Sequence, residues 1–247
     1  PMPDVGYSWA GATDVGRARD HNEDSLFPDG SGAGPGPLVV AVADGLGGLD
    51  AGEVASRSAI EAVRAIPADD STVSVVDRVK AGDDAVVAFV VASPDIFDSA
   101  TTLTVAALSP SGSLEIGHVG DSRLYVSGGG ALLQVTTDQT VAQRKVDAGE
   151  ITDLEATLDP GRHILTSACG LLDISIQHLA GIQLTAGDRV LLCSDGLSEM
   201  LTDGEISSLL NETPDPAAAV SGLIDAANEA GGRDNITVIV VNVEAGR

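Results

Sequence analysis

Aspartates at the ends of short apolar runs constrain this chain more than any other feature. Asp44 closes Leu38-Val-Val-Ala-Val-Ala43, and Asp195 follows Arg189-Val-Leu-Leu-Cys-Ser194. Asp121 follows Glu115-Ile-Gly-His-Val-Gly120, and Asp234 opens Asn235-Ile-Thr-Val-Ile-Val-Val241. Short runs rich in β-branched residues read as strands, so each acid sits where a strand leaves the core. Glu23-Asp24 follows an earlier strand-like run, Gly6–Asp14. Any one of these acids alone is ordinary turn chemistry, since Asp-Gly is a common turn pair. Their recurrence is not. If the ends converge, several carboxylates share one small space, and they ionise together only against a cation. Oxygen-only donors without a His or Cys cluster suit Mg²⁺ or Mn²⁺ better than Zn²⁺. Glycines after Asp44 and Asp195 leave room for backbone carbonyls beside an ion. The spacing points to a divalent-metal centre and identifies no reaction.

Further strands are expected over Pro37–Ala43, Thr101–Leu108, Leu114–Val119, Arg123–Val126, Arg189–Ser194 and Ile236–Val241. Leu114 to Val126 reads as two strands joined by a tight Gly-Asp turn. Helix starts are marked by Asp50 with Glu53, by Thr202 with Glu205, and by Asp215 ahead of Pro216. Ser71 to about Val91 reads as an amphipathic helix weakened by Gly82. Asp29–Pro37 and Gly128–Gly130 read as loops, and 138–170 as a polar, helical excursion between strands. Strands come mostly in adjacent pairs, which favours antiparallel sheets with flanking helices over a doubly wound parallel sheet. The whole chain, 1–247, is expected to form one domain.

Composition excludes some partners. A net charge of −24 disfavours a nucleic-acid backbone or an anionic membrane. Aromatic residues, at 2 %, are too few for base-stacking platforms. No run of 18 or more apolar residues marks a membrane span. Two cysteines, Cys169 and Cys193, form neither a disulfide framework nor a zinc motif, and a reducing cytoplasm is the expected location. Cys193, inside an apolar run, reads as an inert core thiol rather than a nucleophile. His21, His118, His163 and His178 are read as structural or surface residues, since none has a placed partner in the sequence.

Six motifs then occur in order over nearly the whole chain: Arg19-Asp-His-Asn-Glu-Asp24, Val42-Ala-Asp-Gly-Leu-Gly-Gly48, Thr101-Thr-Leu-Thr104, Val119-Gly-Asp-Ser-Arg123, Ser194-Asp-Gly-Leu197 and Gly232-Arg-Asp-Asn-Ile-Thr237. In these the chain resembles the PPM family of metal-dependent Ser/Thr protein phosphatases (type 2C-like), in its compact bacterial form. The resemblance implies an α+β fold, two packed antiparallel sheets flanked by helices on both sides. It implies hydrolysis of phosphoserine and phosphothreonine on proteins by a hydroxide bridging two Mn²⁺ or Mg²⁺ ions. Asp44 would bridge the ions, with the Gly45 carbonyl completing one shell; Asp195 and Asp234 would bind the other. Glu23 and Asp24 would hold ion-bound waters, Arg19 would grip the substrate phosphate, and Asn235 would orient Asp234 or a bound water. Phosphoproteins, Ser/Thr kinases or their targets, would be the partners of a monomer.

Departures from the family pattern accompany the match. Leu46 stands where eukaryotic relatives carry His. Asp121 matches a third, weaker ion's ligand, but its usual Asp partner is Glu199 here. Asp138-Gln-Thr140 and Leu165-Thr-Ser-Ala-Cys-Gly170 alter the flap-like segment 138–170. The altered flap motivates the alternative function, a non-catalytic PPM-like domain that binds metal or a phosphoprotein. An intact Asp44, Asp195 and Asp234 favours the enzyme.

Overall fold

The computed structural model describes residues 4–47, 51–92 and 99–246. Two antiparallel sheets pack face to face. One has strand order β3 (Gly30–Gly34), β1 (Val5–Asp14), β12 (Ile236–Ala245), β11 (Arg189–Cys193), β8 (Arg123–Gly128) and β9 (Ala131–Gln134). The other runs β10 (Gln177–Gln183), β7 (Ser113–Val119), β6 (Leu103–Leu108), β4 (Leu38–Leu46) and β2 (Asp24–Phe27), with β5 (Ala100–Thr101) pairing the end of β4. Helices α1 (Ala51–Ala65) and α2 (Val75–Ala92) cover the second sheet. Helices α5 (Asp195–Ser198), α6 (Asp203–Glu212) and α7 (Pro216–Glu229) cover the first. The expected α+β sandwich is therefore observed.

Both faces of each central strand are buried, which is why these strands read as unbroken apolar runs. In β4, Val40 and Val42 face the opposite sheet while Val39, Ala41 and Ala43 pack on helices. In β12, Ile239, Val241 and Val243 face inward and Val238 and Val240 outward. In β11, Val190 and Leu192 face inward, Leu191 and Cys193 outward. The period of two then fixes what terminates each inward column. Val40 and Val42 lead to Asp44, Leu26 leads back to Asp24, Ile239 leads back to Thr237, and Leu192 leads to Ser194. The inter-sheet core thus becomes polar at one end.

Several local readings change. β3 was expected to be loop; it pairs β1 as a glycine-rich edge strand, and Trp9 lies over Gly32 where a Cβ would meet the indole at 2.4 Å. β2, β9 and β10 are short or polar and give no apolar run. Leu114 to Val126 is no hairpin: β7 and β8 belong to different sheets, and Gly120, at φ +109°, carries the chain across. α2 starts at a reciprocal Ser74–Asp77 cap rather than at Ser71. Gly82 faces Leu103, so its place in the helix is a packing requirement. The Thr202–Glu205 capping box and the Asp215 cap form as expected, while Asp50 lies outside the described residues. The excursion holds α3 (Val141–Asp147), α4 (Asp153–Ala156) and a 3₁₀ turn, Pro160–His163. Among the described residues, no helix is long and apolar enough to cross a membrane.

Candidate metal centre

Asp24 and Asp44 are cross-strand partners on β2 and β4. Asp24 is buried, and its Oδ2 accepts hydrogen bonds from Ser194 Oγ at 2.7 Å and Thr237 Oγ1 at 2.6 Å. Ser194 occupies the N-cap of α5 but spends its hydroxyl on Asp24 instead of the helix. Asp44 is held through its backbone. Its N–H donates to Thr102 Oγ1, and its carbonyl accepts from the Thr102 N–H and from Thr101 Oγ1, each at 2.9 Å. The Thr-Thr-x-Thr motif is therefore scaffolding: Thr104 continues it with His118 Nδ1 at 2.8 Å. That ring is fully buried and pushed down to about 4 by burial, so it stays neutral.

Asp195 opens α5, immediately beyond β11, and Asp234 sits two residues before β12. Their approach depends on glycines. A Cβ on Gly196 would lie 1.9 Å from the Asn235 carbonyl oxygen, and one on Gly45 2.1 Å from that of Gly52. Clearance for neighbouring backbone is one thing these two glycines supply. Asn235 is also committed. Its Oδ1 accepts from the Glu23 N–H, its Nδ2 donates to the Val15 and His21 carbonyls, and its own N–H donates to Asp234 Oδ1. It orients Asp234 by backbone and staples the loop that carries Arg19 and Glu23. The Glu23 carboxylate lies against Gly52 in the first turn of α1. Arg19 reaches over the rim, half-exposed, with Nη2 2.6 Å from Asp234 Oδ2.

The carboxylates act on one another. Asp44 is held well above the usual carboxylate range by burial and then by Asp24, Asp195, Asp121 and Asp234. Asp195 is raised in the same way, by burial and then by Asp121, Glu199, Asp234 and Asp24. Burial is the main cause that lifts Asp24 to about 6, with Ser194 and Thr237 opposing it. Asp121 rises to about 7, through burial and then Asp138, with Arg123 opposing and Glu199 adding. Asp24 Oδ1 and Asp195 Oδ1 are buried without a hydrogen-bond partner. Bare, mutually repelling carboxylate oxygens form a donor set that a hard divalent cation completes. Asp24, Asp44, Asp121, Asp195 and Asp234 thus converge, with Glu23, Gly45 and Asn235 directly behind them.

Glu199 lies toward the excursion. Its Oε1 is 2.6 Å from His163 Nδ1, and one donor atom each of His163, Asp195 and Glu199 fall within 4.8 Å of one another. The placement of His163 was invisible in sequence, because it depends on how the excursion folds back. Asp138, at its base, is tied to Arg123 at 2.7 Å, beside the Asp121 turn. Cys193 is buried and pushed up to about 12, an inert thiol.

A family model described as "Protein phosphatase 2C" matches residues 16–223. The chain is 38 % identical over 239 residues to the serine/threonine protein phosphatase PstP of Mycobacterium tuberculosis; this covers 95 % of this chain but 45 % of PstP, so the chain spans less than half of that relative. Identity to the serine/threonine phosphatase stp of Listeria welshimeri is 32 %, covering 93 % of each. A crystal structure of the PstP catalytic domain in complex with two manganese ions matches with a TM-score of 0.85 and 36 % identity, over 97 % of this chain and 99 % of that one.

Proposed function

The chain belongs to the protein phosphatase 2C family, and we propose that it hydrolyses phosphoserine and phosphothreonine on proteins with two Mn²⁺ or Mg²⁺ ions. One observation carries the reading: buried carboxylates converge at one end of the inter-sheet core with bare oxygens. Asp44, the Gly45 carbonyl, Asp195 and Asp234 would hold the pair, the roles the family resemblance gives them, and the burial and mutual repulsion at Asp44 and Asp195 support this. Ions so placed supply Lewis acidity, activating water and neutralising charge on the phosphoryl oxygens.

The chain's own groups do the rest. Arg19 offers a planar fork of donors at the open rim, suited to a phosphate oxygen pair. In the structure that fork rests on Asp234, which a phosphate would replace as its partner. Ser194 and Thr237 fix Asp24, and Asp24 fixes Asp44, so the central carboxylate is preorganised from two sheets. Asn235 keeps the Arg19 loop and Asp234 in one register. Leu46, 37 % exposed, has no proton to give the leaving oxygen. Exposed Leu154, Leu158 and Ile164 give the otherwise polar excursion apolar surface, which suits a polypeptide better than a small phosphoester. Phosphoproteins, among them Ser/Thr kinases or their targets, are the substrates this implies.

The test is hydrolysis of a phosphothreonine peptide against a free sugar phosphate, with Mn²⁺ and with EDTA. Peptide turnover that depends on Mn²⁺ supports the proposal. Equal rates on the sugar phosphate would overturn the protein specificity, and no turnover of either would overturn the enzyme.

A further inference from the structure

Asp138-Gln-Thr140 departs from the family pattern, and the two-ion reading does not use it. Asp138 takes Arg123 through both carboxylate oxygens, and Thr140 caps α3 by accepting from the Gln143 N–H. Gln139, between them, commits all four of its polar groups. Its N–H donates to the Gly120 carbonyl at 2.8 Å, and its carbonyl accepts from the Thr166 N–H at 2.7 Å. Its side-chain Oε1 accepts from the Gly120 N–H at 2.9 Å, and its Nε2 donates to the Ser175 carbonyl at 2.8 Å. One half-buried residue thus ties both ends of the excursion to the segment before β10 and to the link between β7 and β8.

From Gly120 a path leads to Asp44. Gly120 lies on Thr102, where a Cβ at its φ of +109° would fall 2.6 Å from Thr102 Cβ and Cγ2. Two residues on, Ser122 Oγ is 2.8 Å from Thr102 Oγ1, and both residues are buried. Thr102 Oγ1 in turn accepts from the Asp44 N–H at 2.9 Å. Buried hydroxyls have no water to turn to, so leaving such a partner costs the full desolvation of the group. A shift of the Gly120–Ser122 turn is therefore passed on to the Asp44 backbone, through packed atoms and hydrogen bonds that form one contiguous network. The path passes through neither the Asp121 carboxylate nor an ion.

We propose that Gln139 is a positioning residue for Asp44, acting through the Gly120–Ser122 turn and Thr102, so that the seat of the 138–170 excursion sets where the central carboxylate stands. The hydrogen-bond path stands by itself, and its consequence for Mn²⁺ affinity rests on the two-ion reading.

The experiment compares Gln139→Met, Gln139→His and Gln143→Ala with wild type, as full chains, at about pH 7.5. Methionine keeps the length of the side chain and loses both of its hydrogen bonds. Imidazole is neutral above about pH 6.5, with one acceptor and one donor nitrogen, and keeps them. Gln143 belongs to the same excursion, but its Nε2 donates to Asp147 Oδ1, off the path. Amide hydrogen exchange of the metal-stripped proteins reads the path directly. In Gln139→Met the Gly120 and Asp44 amides should exchange about tenfold faster than in wild type, and in the other two variants within about threefold of it. The Val240 amide, mid-strand in β12, should keep its rate throughout. Calorimetric titration should then show Mn²⁺ binding about tenfold weaker in Gln139→Met alone, with KM for a phosphothreonine peptide within about twofold of wild type, because Arg19 is untouched. A faster Gly120 amide beside an unchanged Asp44 amide would overturn the path. Equal acceleration at Val240 would mean general loosening and overturn it too. Unchanged Mn²⁺ affinity in Gln139→Met would overturn the part of Gln139 in the site and leave the two-ion reading standing. No Mn²⁺ binding by wild type would sink the two-ion reading, while the amides still decide the path.

Discussion

Asp44→Asn separates what the metal-free site costs from what it does. In the metal-free fold Asp44 stays protonated, through burial and then the charges of Asp24, Asp195, Asp121 and Asp234, and it donates to Asp24. In the unfolded chain it ionises near 3.8. The folded state therefore binds one proton more than the unfolded state, so stability is greatest below about pH 4 and falls as pH rises. One proton changes stability by about 1.4 kcal/mol per pH unit. Asparagine has no proton to lose, and its amide N–H can donate to Asp24 as the carboxyl did. The gap between variant and wild type in EDTA should thus widen, by up to about 1.4 kcal/mol per pH unit, as pH rises above the ordinary carboxylate range. That is roughly 3–6 °C of Tm per unit for a chain of this size. His118, pushed down to about 4, works in the opposite sense, losing stability as pH falls from about 6.5, but it is common to both proteins and cancels. Mn²⁺ should reverse the order. Wild type gains about 2.7 kcal/mol at a hundredfold excess over Kd, the variant much less, and only wild type turns over phosphopeptide. Thermal melts across pH, in EDTA and then in Mn²⁺, measure all of this. A pH-independent gap refutes the shared proton, and wild-type turnover by the variant refutes the role of Asp44.

Arg19→Ala should raise KM for a phosphothreonine peptide by about 10–100-fold with a smaller change in kcat, because a charge-assisted hydrogen bond to the phosphate is shared by ground and transition states. Its exposed pair with Asp234 contributes little, so a stability loss above about 1 kcal/mol, or a fall in kcat at constant KM, would contradict the assignment. Asn235→Ala leaves a Glu23 N–H and the Val15 and His21 carbonyls without partners, and should cost about 2–4 kcal/mol in urea unfolding and weaken Mn²⁺ binding; unchanged Mn²⁺ affinity would remove its part in the site. Gly82→Ala sets a gain of about 1 kcal/mol in helix propensity against about 1–3 kcal/mol of overpacking, since the new Cβ would lie 2.5 Å from Leu103 Cδ2 in a closed core. Overpacking should win, and a more stable variant would show that Leu103 can move aside.

Much of the fold could be read from β-branched runs, because strands buried on both faces carry apolar residues at every position. The same rule hid the strands that lack it. β10 is exposed or half-exposed at every position, and β3 is mostly glycine because Trp9 needs the space. The Leu114–Val126 segment misled for another reason. A tight Gly-Asp link fits a hairpin and a crossing between sheets equally well, and only the pairing of β7 with β6 and of β8 with β11 decides.

The site divides along the same line. That Asp44, Asp121, Asp195 and Asp234 end strands is a local fact, and periodicity alone exposed it. That the ends meet is a fact about register. Asp24 faces Asp44 because β2 pairs β4 in that register, and Ser194 and Thr237 reach Asp24 from the other sheet, 170 and 213 residues away in sequence. A Ser at a helix N-cap and a Thr in a strand each have a sufficient local explanation, so nothing local marks them as supports for a carboxylate. The glycines after Asp44 and Asp195 show the limit most clearly. Beside any effect on an ion, each is required by a carbonyl from another segment, Gly52 in one case and Asn235 in the other. Those two close approaches are what let the strand ends lie together. The sheets' own packing holds the carboxylates close together, and the repulsion this creates is what a proton on Asp44 relieves without metal and a divalent cation relieves with it.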